Sequence, residues 1–229
     1  MHSKRPTACP LISVIICAKN EAVNLPYVLP KIPPWVDEII LVDGNSHDHT
    51  VEVAKKLCPT LRVLLQPNNG KGDALKYGVK NARGELIVTL DADGSTDPDD
   101  LPRFIQPLLD GFDFTKGSRF LGKHLRMTVY RRFGNWVLVR TTNLLFRTKY
   151  TDVCSGYNAF RKDAFSKLNL IHDGFEMEQE MNVKIKKTGL NVKEVGCIDK
   201  GRNSGASKVI SAKQGFKDFM VILKERFNE

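Results

Sequence analysis

Short apolar runs alternate with segments of helical spacing over the first part of the chain, and this alternation constrains the fold more than any other feature. The apolar runs span residues 11–17, 38–42, 61–65 and 85–90. The segments between them that have helical spacing span residues 22–29, 48–57 and 73–82. Strand–helix–strand repetition of this kind predicts an α/β fold with a mostly parallel sheet and helices on both faces.

Polar residues follow three of these apolar runs. They are Lys19-Asn20-Glu21, Asp43-Gly44-Asn45-Ser46 and Asp91-Ala92-Asp93. Folds of this kind bind their ligands beyond the carboxyl ends of the strands, and all three clusters occupy that position. We therefore expect them to converge at one edge of the sheet and to form a single binding site.

The second half of the chain is less regular. We expect a helix over 99–109 with Pro98 in its first turn and Asp97 as its cap, followed by a strand over 112–116. Residues 129–146 have loose helical spacing that gives an apolar stripe beside arginines. Further patterns predict a helix over 176–186 and a strand over 192–197. A basic loop covers 201–208, and an amphipathic helix closes the chain from about residue 209. We interpret residues 1–229 as one domain with a flexible segment at 1–9 and a C-terminal amphipathic helix within 209–229.

Composition narrows the class of protein. With 41% hydrophobic and 27% charged residues, the chain is typical of a globular domain rather than a disordered one. No apolar run reaches the roughly eighteen residues of a membrane span, and residues 1–10 lack the apolar stretch of a signal peptide. The five cysteines are scattered without a CxxC pair, which favours a reducing compartment such as the cytoplasm and no disulfide framework.

Positive charge is concentrated in one segment. Residues 116–149 contain no Asp or Glu, and their basic residues are Lys116, Lys123, Lys149 and Arg119, Arg126, Arg131, Arg132, Arg140, Arg147. These nine charges equal the net charge of the whole chain, +9. A local cationic field favours a phosphate, an acidic membrane surface or a nucleic acid. The alternative is a solvated helix face whose apolar side packs on the sheet.

Asp91 and Asp93 are the candidate metal ligands. Alternate residues of a strand share a face, so both carboxylates can point to the same side of the sheet edge. Hard oxygen ligands suit Mg²⁺ or Mn²⁺, which take one or two carboxylates and complete their shell with phosphate oxygens and water. Ser95 lies on the same side and would add a hydroxyl or a water-mediated contact. A purely structural alternative is an acidic turn that caps the helix beginning at Pro98.

Two further clusters suit a nucleotide. Asp43 can accept hydrogen bonds from a base or a ribose, although it can equally cap the helix that begins near Asp48. Lys71 lies between glycines immediately before a helix, where the backbone can approach a ligand closely and the helix start favours an anion. The spacing of a P-loop is absent, and no G-x-G-x-x-G follows the first strand, so neither of those motifs is present.

Eight blocks in order along nearly the whole chain match a known pattern. They span residues 13–21, 42–50, 69–74, 91–93, 117–120, 152–160, 174–178 and 202–208. In these blocks the chain resembles the family 2 glycosyltransferases, and most closely the dolichyl- or polyprenyl-phosphate mannose or glucose synthases. The resemblance implies the GT-A fold, a Rossmann-like α/β/α arrangement of three layers. It also implies an inverting, metal-dependent hexosyltransferase that uses Mg²⁺ or Mn²⁺.

The resemblance also assigns roles to single residues. It implies a donor site for GDP-mannose or UDP-glucose formed by Ala18, Asn20, Glu21, Asp43, Lys71, Asp91, Ala92, Asp93, Arg202, Ser207 and Lys208. It implies a metal site at Asp91, Asp93 and Ser95, where these synthases often carry glutamine at the last position. The implied acceptor residues are Arg119, Arg131, Arg132, Asn135, Ser155, Glu176 and Glu178. The implied catalytic residues are Asp93, Arg119, Arg131 and Arg202.

The acceptor remains open between two chemistries. A lipid phosphate is already anionic at pH 7 and needs cations rather than a general base. A sugar hydroxyl, as in polysaccharide or glycolipid synthesis, would need a carboxylate within reach, for which Asp152, Glu176 and Glu178 are candidates. The acid-free basic segment favours the lipid phosphate. We therefore expect a peripheral protein on the cytoplasmic face of a membrane, with a membrane-anchoring partner subunit as a further possibility.

Two other functional classes explain less of the sequence. A nucleic-acid-binding module would use the basic segment and its aromatic residues, but it leaves the acidic clusters at the strand ends without a role. A sugar nucleotidyltransferase would need a glycine-rich, arginine-bearing loop after the first strand, where this chain has Ala18-Lys19-Asn20-Glu21. We expect no nucleic-acid partner. The segment Asp43-Gly44-Asn45-Ser46 also departs from the Asp-Asp-Gly-Ser of many glycosyltransferases, which leaves the base of the donor open.

Overall fold

A seven-stranded sheet forms the centre of the molecule. The computed structural model describes residues 10–124, 127–205 and 211–227. The strands are β1 (Ile12–Ala18), β2 (Glu38–Asp43), β3 (Arg62–Leu65), β4 (Leu86–Asp91), β5 (Phe114–His124), β6 (Asn158–Arg161) and β7 (Val192–Asp199). Their order in the sheet is β3-β2-β1-β4-β6-β5-β7. Only β6 runs antiparallel to its neighbours, so the sheet is mostly parallel as the sequence predicts.

Helices cover both faces of this sheet. They are α1 (Thr50–Leu57), α2 (Lys71–Asn81), α3 (Leu101–Leu109), α4 (Val129–Phe146), α5 (Lys162–Lys167), α6 (Met177–Lys187) and α7 (Ser211–Phe227). One apolar cluster joins the sheet to α1 and α3, and a second joins it to α2, α5 and α6. Strand β1 contributes Val14 and Ile16 to the first cluster and Ile15 to the second, as the two-residue period of a strand requires. The predicted three-layer α/β/α architecture is therefore confirmed.

A third, smaller cluster ties α4 and α7 to the rest of the molecule. It contains Leu138, Tyr150, Val153 and Ile222, all buried, with Phe219 packed against them. The predicted C-terminal amphipathic helix is present, and its apolar side packs on α4 and α6. The same helix leaves Phe216 67% exposed.

Two local predictions are wrong. Residues 22–29 do not form an α-helix but contribute to two short 3₁₀ turns, Leu25–Tyr27 and Leu29–Lys31. Each turn contains a proline, Pro26 or Pro30, which cannot donate the hydrogen bond of an α-helical ladder. Asp97 does not cap the following helix through its side chain. Its carboxylate binds the Lys200 ammonium instead.

The other departures are omissions. Strand β6 and the short helix α5 follow a loop rich in polar residues and give no clear periodic signal. Strand β5 is much longer than predicted because it pairs with β7 beyond Lys116, with a change of register between Ser118 and Lys123. These pairings depend on contacts distant in sequence.

Candidate active site

The carboxyl ends of β1, β2 and β4 meet at one edge of the sheet, as predicted. A cavity of about 480 Å³ lies over this edge. Of the residues expected in the site, it is lined by Ala18, Glu21, Lys71, Asp91, Ala92, Asp93, Ser95, Arg119, Arg131, Glu178 and Arg202. Most of the candidate donor, metal and acceptor residues therefore share one space.

Asp91 and Asp93 form an acidic pair at the floor of this cavity. Asp91 is the last residue of β4, and Asp93 lies in the turn that follows, where its Oδ1 accepts a hydrogen bond from the Ser95 N–H at 2.9 Å. Burial raises the pKa of Asp93, and the neighbouring Asp91 raises it further, while Ser95 and Arg202 act in the opposite direction. The two carboxylates therefore lie close together in a partly buried position, where their charges repel each other.

A buried lysine contacts this pair from α2. Lys71 Nζ lies 2.8 Å from Asp91 Oδ1 and 2.8 Å from Glu178 Oε1. Burial alone would lower the pKa of Lys71, but Asp91 and Glu178 raise it well above its usual value. A Cβ at Gly156 would lie 2.7 Å from both Asp91 Oδ2 and Lys71 Nζ, so only glycine leaves room for this ion pair.

Arg202 approaches the pair from the opposite side. Its Nη2 donates to Glu21 Oε2 at 2.7 Å, and its Nη1 lies 3.6 Å from Asp93 Oδ2. The Asn203 N–H donates to the Asp93 carbonyl at 3.1 Å, which fixes the loop that carries Arg202 over the acidic turn. Ser207 and Lys208, expected to close over the donor diphosphate, lie outside the described residues.

Two of the expected nucleotide residues do not line the cavity. Both oxygens of Asp43 accept hydrogen bonds from Ser46, from its N–H at 3.0 Å and from its hydroxyl at 2.5 Å. Asn20 accepts from the His47 N–H at 2.8 Å, and its own N–H donates to the Ser46 hydroxyl. These side chains hold the β1 and β2 loops together, while Gly44 between them faces the cavity.

The start of α2 is engaged within the protein. The N–H groups of Gly72 and Asp73 donate to the Asp173 carbonyl at 2.7 and 3.1 Å. Gly70 has a φ of +103°, and a Cβ there would lie 2.1 Å from the same carbonyl. The glycines beside Lys71 thus permit close packing of the 172–174 backbone. The N–H groups of Gly72 and Asp73 at this helix start are therefore already satisfied within the protein.

Gln66 is a cavity residue that sequence reasoning missed. Its Nε2 donates to the Gly70 carbonyl at 2.8 Å and to Asp73 Oδ2 at 3.0 Å, so the orientation of the amide is fixed by two acceptors. The amide oxygen then points toward Gly44, where it lies 3.1 Å from the position of a Cβ. Its position just after β3, beside the other strand-end clusters, was the available signal.

Arg119 is held rigidly at the opposite end of the cavity. Its Nε and Nη2 donate to the two oxygens of Asp152 at 2.7 and 2.9 Å. Burial alone would raise the pKa of Asp152, but the Arg119 guanidinium and the N–H groups of Cys154 and Arg119 together lower it. Glu194 on β7 accepts hydrogen bonds from the N–H groups of Thr151 and Asp152 and so fixes the loop that carries this carboxylate. Asp152 is thus fully engaged and poorly placed to act as a base.

A second cavity of about 620 Å³ opens between α4 and α7 and is mostly apolar. Its walls include Tyr130, Phe133, Leu138, Phe216 and Phe219. It adjoins the first cavity, and the two share Arg119, Met127, Arg131, Cys154, Phe175 and Glu178. We refer to the two spaces as the polar cavity and the apolar groove.

The expected acceptor residues divide between these spaces and the surrounding structure. Arg119, Arg131 and Glu178 lie where the two cavities meet, and Asn135 lines the apolar groove. Arg132, Ser155 and Glu176 line neither space. Ser155 is buried, whereas Arg132 faces solvent on α4. Glu176 Oε2 accepts a hydrogen bond from Gln214 on α7 at 3.2 Å.

The basic segment does not form one uniform surface. Lys116 is fully buried, and Arg119 is paired with Asp152. The side chains of Lys123 and Arg126 lie outside the described part of the structure. The exposed members are Arg131, Arg132, Arg140, Arg147 and Lys149. On α4 they lie beside exposed aromatic residues, and Arg140 stacks 5.7 Å from the centre of the Trp136 ring.

Within the described part of the chain, no three His, Cys, Asp or Glu side chains come together in a way that could hold a metal ion. Asp91 and Asp93 could contribute two carboxylates to a metal site, and phosphate oxygens and water would then have to complete the shell of the ion. Among residues 10–124, 127–205 and 211–227, no helix has the length and apolar character that a membrane span requires. The four described cysteines are all free thiols.

Comparison with known proteins provides independent information. Residues 13–168 match the protein family described as glycosyl transferase family 2. The glycosyltransferase AglJ of Haloferax volcanii is 32% identical over 154 residues, which are 66% of this chain and 50% of AglJ. The undecaprenyl-phosphate 4-deoxy-4-formamido-L-arabinose transferase of Aeromonas hydrophila is 33% identical over 114 residues, 45% of this chain and 35% of that enzyme. The chain thus spans half or less of the length of these two relatives.

A solved structure has the same architecture. Glucosyl-3-phosphoglycerate synthase from Mycobacterium tuberculosis, crystallised with Mn²⁺, UDP-glucose and phosphoglyceric acid, superposes with a TM-score of 0.76 at 20% identity. The match covers 96% of this chain and 81% of the synthase. Another crystal structure of that synthase contains Mg²⁺ and UDP. At this level of identity the similarity establishes the fold, which is the GT-A arrangement expected from the sequence.

Proposed function

Because the chain belongs to glycosyl transferase family 2, we propose that it transfers a hexose from a nucleotide-sugar to a polyprenyl or dolichyl phosphate. GDP-mannose and UDP-glucose are the donors to test. The observation that carries the proposal is the junction of the polar cavity with the apolar groove at Arg119 and Arg131. A polar donor, an anionic acceptor head and an apolar acceptor tail each find a matching surface around this junction.

The polar cavity suits a nucleoside diphosphate donor. Asp91 and Asp93 would hold Mg²⁺ or Mn²⁺, which would neutralise negative charge that builds up on the departing diphosphate. Lys71 and Arg202 flank the acidic pair and would bind the same diphosphate oxygens as the bond to the sugar breaks. The Mn²⁺ and UDP-glucose complex of the mycobacterial synthase supports this choice of donor class.

The apolar groove suits a lipid tail. Its aromatic walls would cover isoprene units, and Arg131 at its inner end has no acidic partner among the described residues. The name of the Aeromonas hydrophila relative identifies undecaprenyl phosphate as its acceptor, which supports the same class of acceptor here. Arg131 would bind the phosphate, and Arg119 would add a second cation.

A phosphate acceptor also fits the state of the carboxylates at the junction. Glu178 is paired with Lys71, and Asp152 is paired with Arg119. A lipid phosphate is already an anion at neutral pH and attacks the anomeric carbon without losing a proton first. The pairing of both carboxylates therefore does not hinder transfer to a phosphate, whereas it would hinder transfer to a hydroxyl.

The outer surface around the groove suits a membrane interface. Exposed apolar side chains on α4 and α7 include Val129, Phe133, Trp136 and Phe216. Those on α4 alternate with its exposed arginines, and this helix lies within the segment 116–149 that contains no acidic residue. Aromatic and basic side chains on one helix surface are typical of peripheral binding to anionic lipids. We propose that the chain draws its acceptor from such a surface.

A donor and acceptor screen tests the proposal. GDP-mannose and UDP-glucose would each be incubated with Mg²⁺ or Mn²⁺, with polyprenyl phosphate or with soluble glycans as acceptors. We expect sugar to appear in the organic phase only with polyprenyl phosphate and a divalent ion. Transfer to soluble glycans but not to the lipid phosphate would refute the acceptor assignment.

A sugar hydroxyl is the second candidate acceptor, and Asp218 is the observation that favours it. Asp218 lines the apolar groove, is 8% exposed, and accepts a hydrogen bond from Gln214. Burial raises its pKa to about 6, and Glu178 and Glu176 contribute to the increase. A carboxylate with such a pKa can act as a general base near neutral pH. If the acceptor is a hydroxyl, Asp218→Asn would abolish transfer; with a phosphate acceptor it would leave transfer largely intact.

A further inference from the structure

Each carboxylate of the acidic pair faces a cation supplied by the protein. Lys71 lies against Asp91, and Arg202 lies near Asp93. Each of these cations also binds a second carboxylate outside the pair. For Lys71 this is Glu178, and for Arg202 it is Glu21. Two cations of the protein itself therefore lie against the acidic pair. Each of them has a second carboxylate that it can keep as a partner if it leaves the pair.

The Lys71 contact is the tighter of the two. Its ammonium lies at 2.8 Å from both Asp91 and Glu178, while the Arg202 guanidinium is 3.6 Å from Asp93. The Phe175 ring, centred 5.8 Å from Nζ, and Gly156 close the space around it. Lys71 is thus confined between two carboxylates and can move from one to the other by a small rotation of its side chain.

A divalent ion at the acidic pair would share Asp91 with this ammonium. Two cations on a single carboxylate repel each other. Glu178 offers Lys71 a place to retain one partner, and a diphosphate beside the pair would supply the anion that it loses. The free energy of metal binding is therefore coupled to the presence of the nucleotide, and such coupling is reciprocal.

We propose that Lys71 shields Asp91 when no donor is bound and moves to Glu178 and the donor diphosphate when the donor binds with its metal. The divalent ion alone then binds weakly, and the ion and the nucleoside diphosphate each strengthen the binding of the other. Glu178 is in this account a positioning residue for Lys71 rather than an acceptor ligand. The inference depends on the metal site of the proposed function.

Calorimetric titration with Mn²⁺ in the absence of any nucleotide tests the inference without measuring turnover. Removing the Lys71 charge in Lys71→Met should strengthen Mn²⁺ binding by about ten-fold, because the competing cation is gone. Glu178→Gln should weaken it, since Lys71 then remains on Asp91. In the double variant the Glu178 change should add little, because it acts through Lys71.

The coupling gives a second readout on the same samples. In the unmodified protein, UDP or GDP should increase the affinity for Mn²⁺ by more than it does in Lys71→Met. Lys76→Met is the matched control, because Lys76 lies on the same helix and pairs with Asp173 outside both cavities. It should change neither the Mn²⁺ affinity nor the coupling. If Lys71→Met does not fold, Lys71→Gln replaces it as a neutral side chain that can still form a hydrogen bond.

The results separate failure of this inference from failure of the metal site. Unchanged or weaker Mn²⁺ binding in Lys71→Met, together with loss of binding in Asp93→Ala, would overturn the role of Lys71 alone. Mn²⁺ binding that Asp93→Ala does not affect in either background would instead show that the ion does not bind at the acidic pair. That result would refute the metal assignment of the proposed function.

Discussion

The polar cavity and the apolar groove differ in how their charges are arranged. Around the polar cavity Lys71, Arg119 and Arg202 each contact at least one carboxylate within 3 Å. On the groove side Arg131 has no such contact among the described residues, and the nearby aromatic side chains are exposed. The first region is preorganised for a ligand of fixed charge, whereas the second is open. The difference suggests one site built for chemistry and another that receives a large, variable acceptor.

The largest expected effect concerns the rigidity of the polar cavity. Asp152→Asn would leave the buried Arg119 guanidinium with only the more distant Asp199 carboxylate, 3.7 Å away, and breaking a buried ion pair costs about 3–5 kcal/mol. Chemical denaturation would measure the loss of unfolding free energy. The exposed pair of Asp163 with Lys167 is the control, since Asp163→Asn should cost less than about 1 kcal/mol. Equal effects of the two changes would contradict the distinction between fixed and open regions.

The ion pair also predicts a dependence on pH. The pKa of Asp152 is lowered in the folded protein by Arg119, against the opposing effect of burial. The stabilisation is therefore present above the pKa of the unfolded chain and is lost as the pH falls through the lower folded value. The stability difference between Asp152→Asn and the unmodified protein should thus shrink in acid. A difference that stays constant down to the acid transition would show that Asp152 acts through packing alone.

The second effect concerns the acidic pair itself. Asp93→Ala should reduce metal-stimulated sugar transfer by about 10²- to 10³-fold, because the charge on the departing diphosphate loses its main counterion. Asp99→Asn is the control, since Asp99 is exposed in the same segment and lines neither cavity. Initial rates at saturating donor would give the ratio. Metal-stimulated turnover that survives in Asp93→Ala would place the metal elsewhere.

The third effect tests the groove side of the comparison. Arg131→Ala should lower kcat/KM for polyprenyl phosphate by about 10- to 100-fold. This is the effect expected from the loss of one hydrogen bond to a charged group. The KM for the nucleotide-sugar should hardly change, because Arg131 lies at the acceptor end of the polar cavity. Arg132→Ala provides a neighbouring control that lines neither space. Equal losses in the two variants would show a general charge effect rather than a phosphate site.

The smallest effect concerns the exposed surface. The double change Phe133→Ser and Trp136→Ser should reduce binding to vesicles that contain phosphatidylglycerol several-fold, because two apolar side chains no longer enter the interface. Ile171→Ser, at a similarly exposed apolar position away from both cavities, should not reduce it. Vesicle sedimentation would measure both variants. Unchanged binding of the double variant would remove the membrane role of this surface.

The two regions also differ in how well the sequence predicts them. The floor of the polar cavity follows from local pattern, because Asp91, Glu21 and Lys71 lie next to predicted strand ends or helix starts. The roles of Asp43 and Asn20 could not be predicted, since their hydrogen bonds go to Ser46 and His47 in a loop whose path depends on the fold. Both side chains make hydrogen bonds within the protein, and their role in nucleotide binding stays a prediction.

The groove was beyond prediction for a different reason. Its walls come from α4 and α7, which are far apart in sequence and meet only through the buried contacts of Leu138 and Ile222. Periodicity predicted both helices but not their association. The nine basic residues of the segment 116–149 also looked equivalent in the sequence, whereas Lys116 is buried and Arg131 is exposed. Burial at this level is a property of tertiary packing.

The most direct test of the central claim is a competition between two acceptors that differ only in the phosphate. Polyprenyl phosphate and polyprenol of the same chain length would be offered together with a nucleotide-sugar and Mn²⁺, and the lipid products would be separated by mass. The arrangement of Arg119 and Arg131 at the inner end of an apolar groove predicts sugar on the phosphate and none on the alcohol. Comparable transfer to polyprenol would contradict it and would favour a hydroxyl acceptor with Asp218 as the general base.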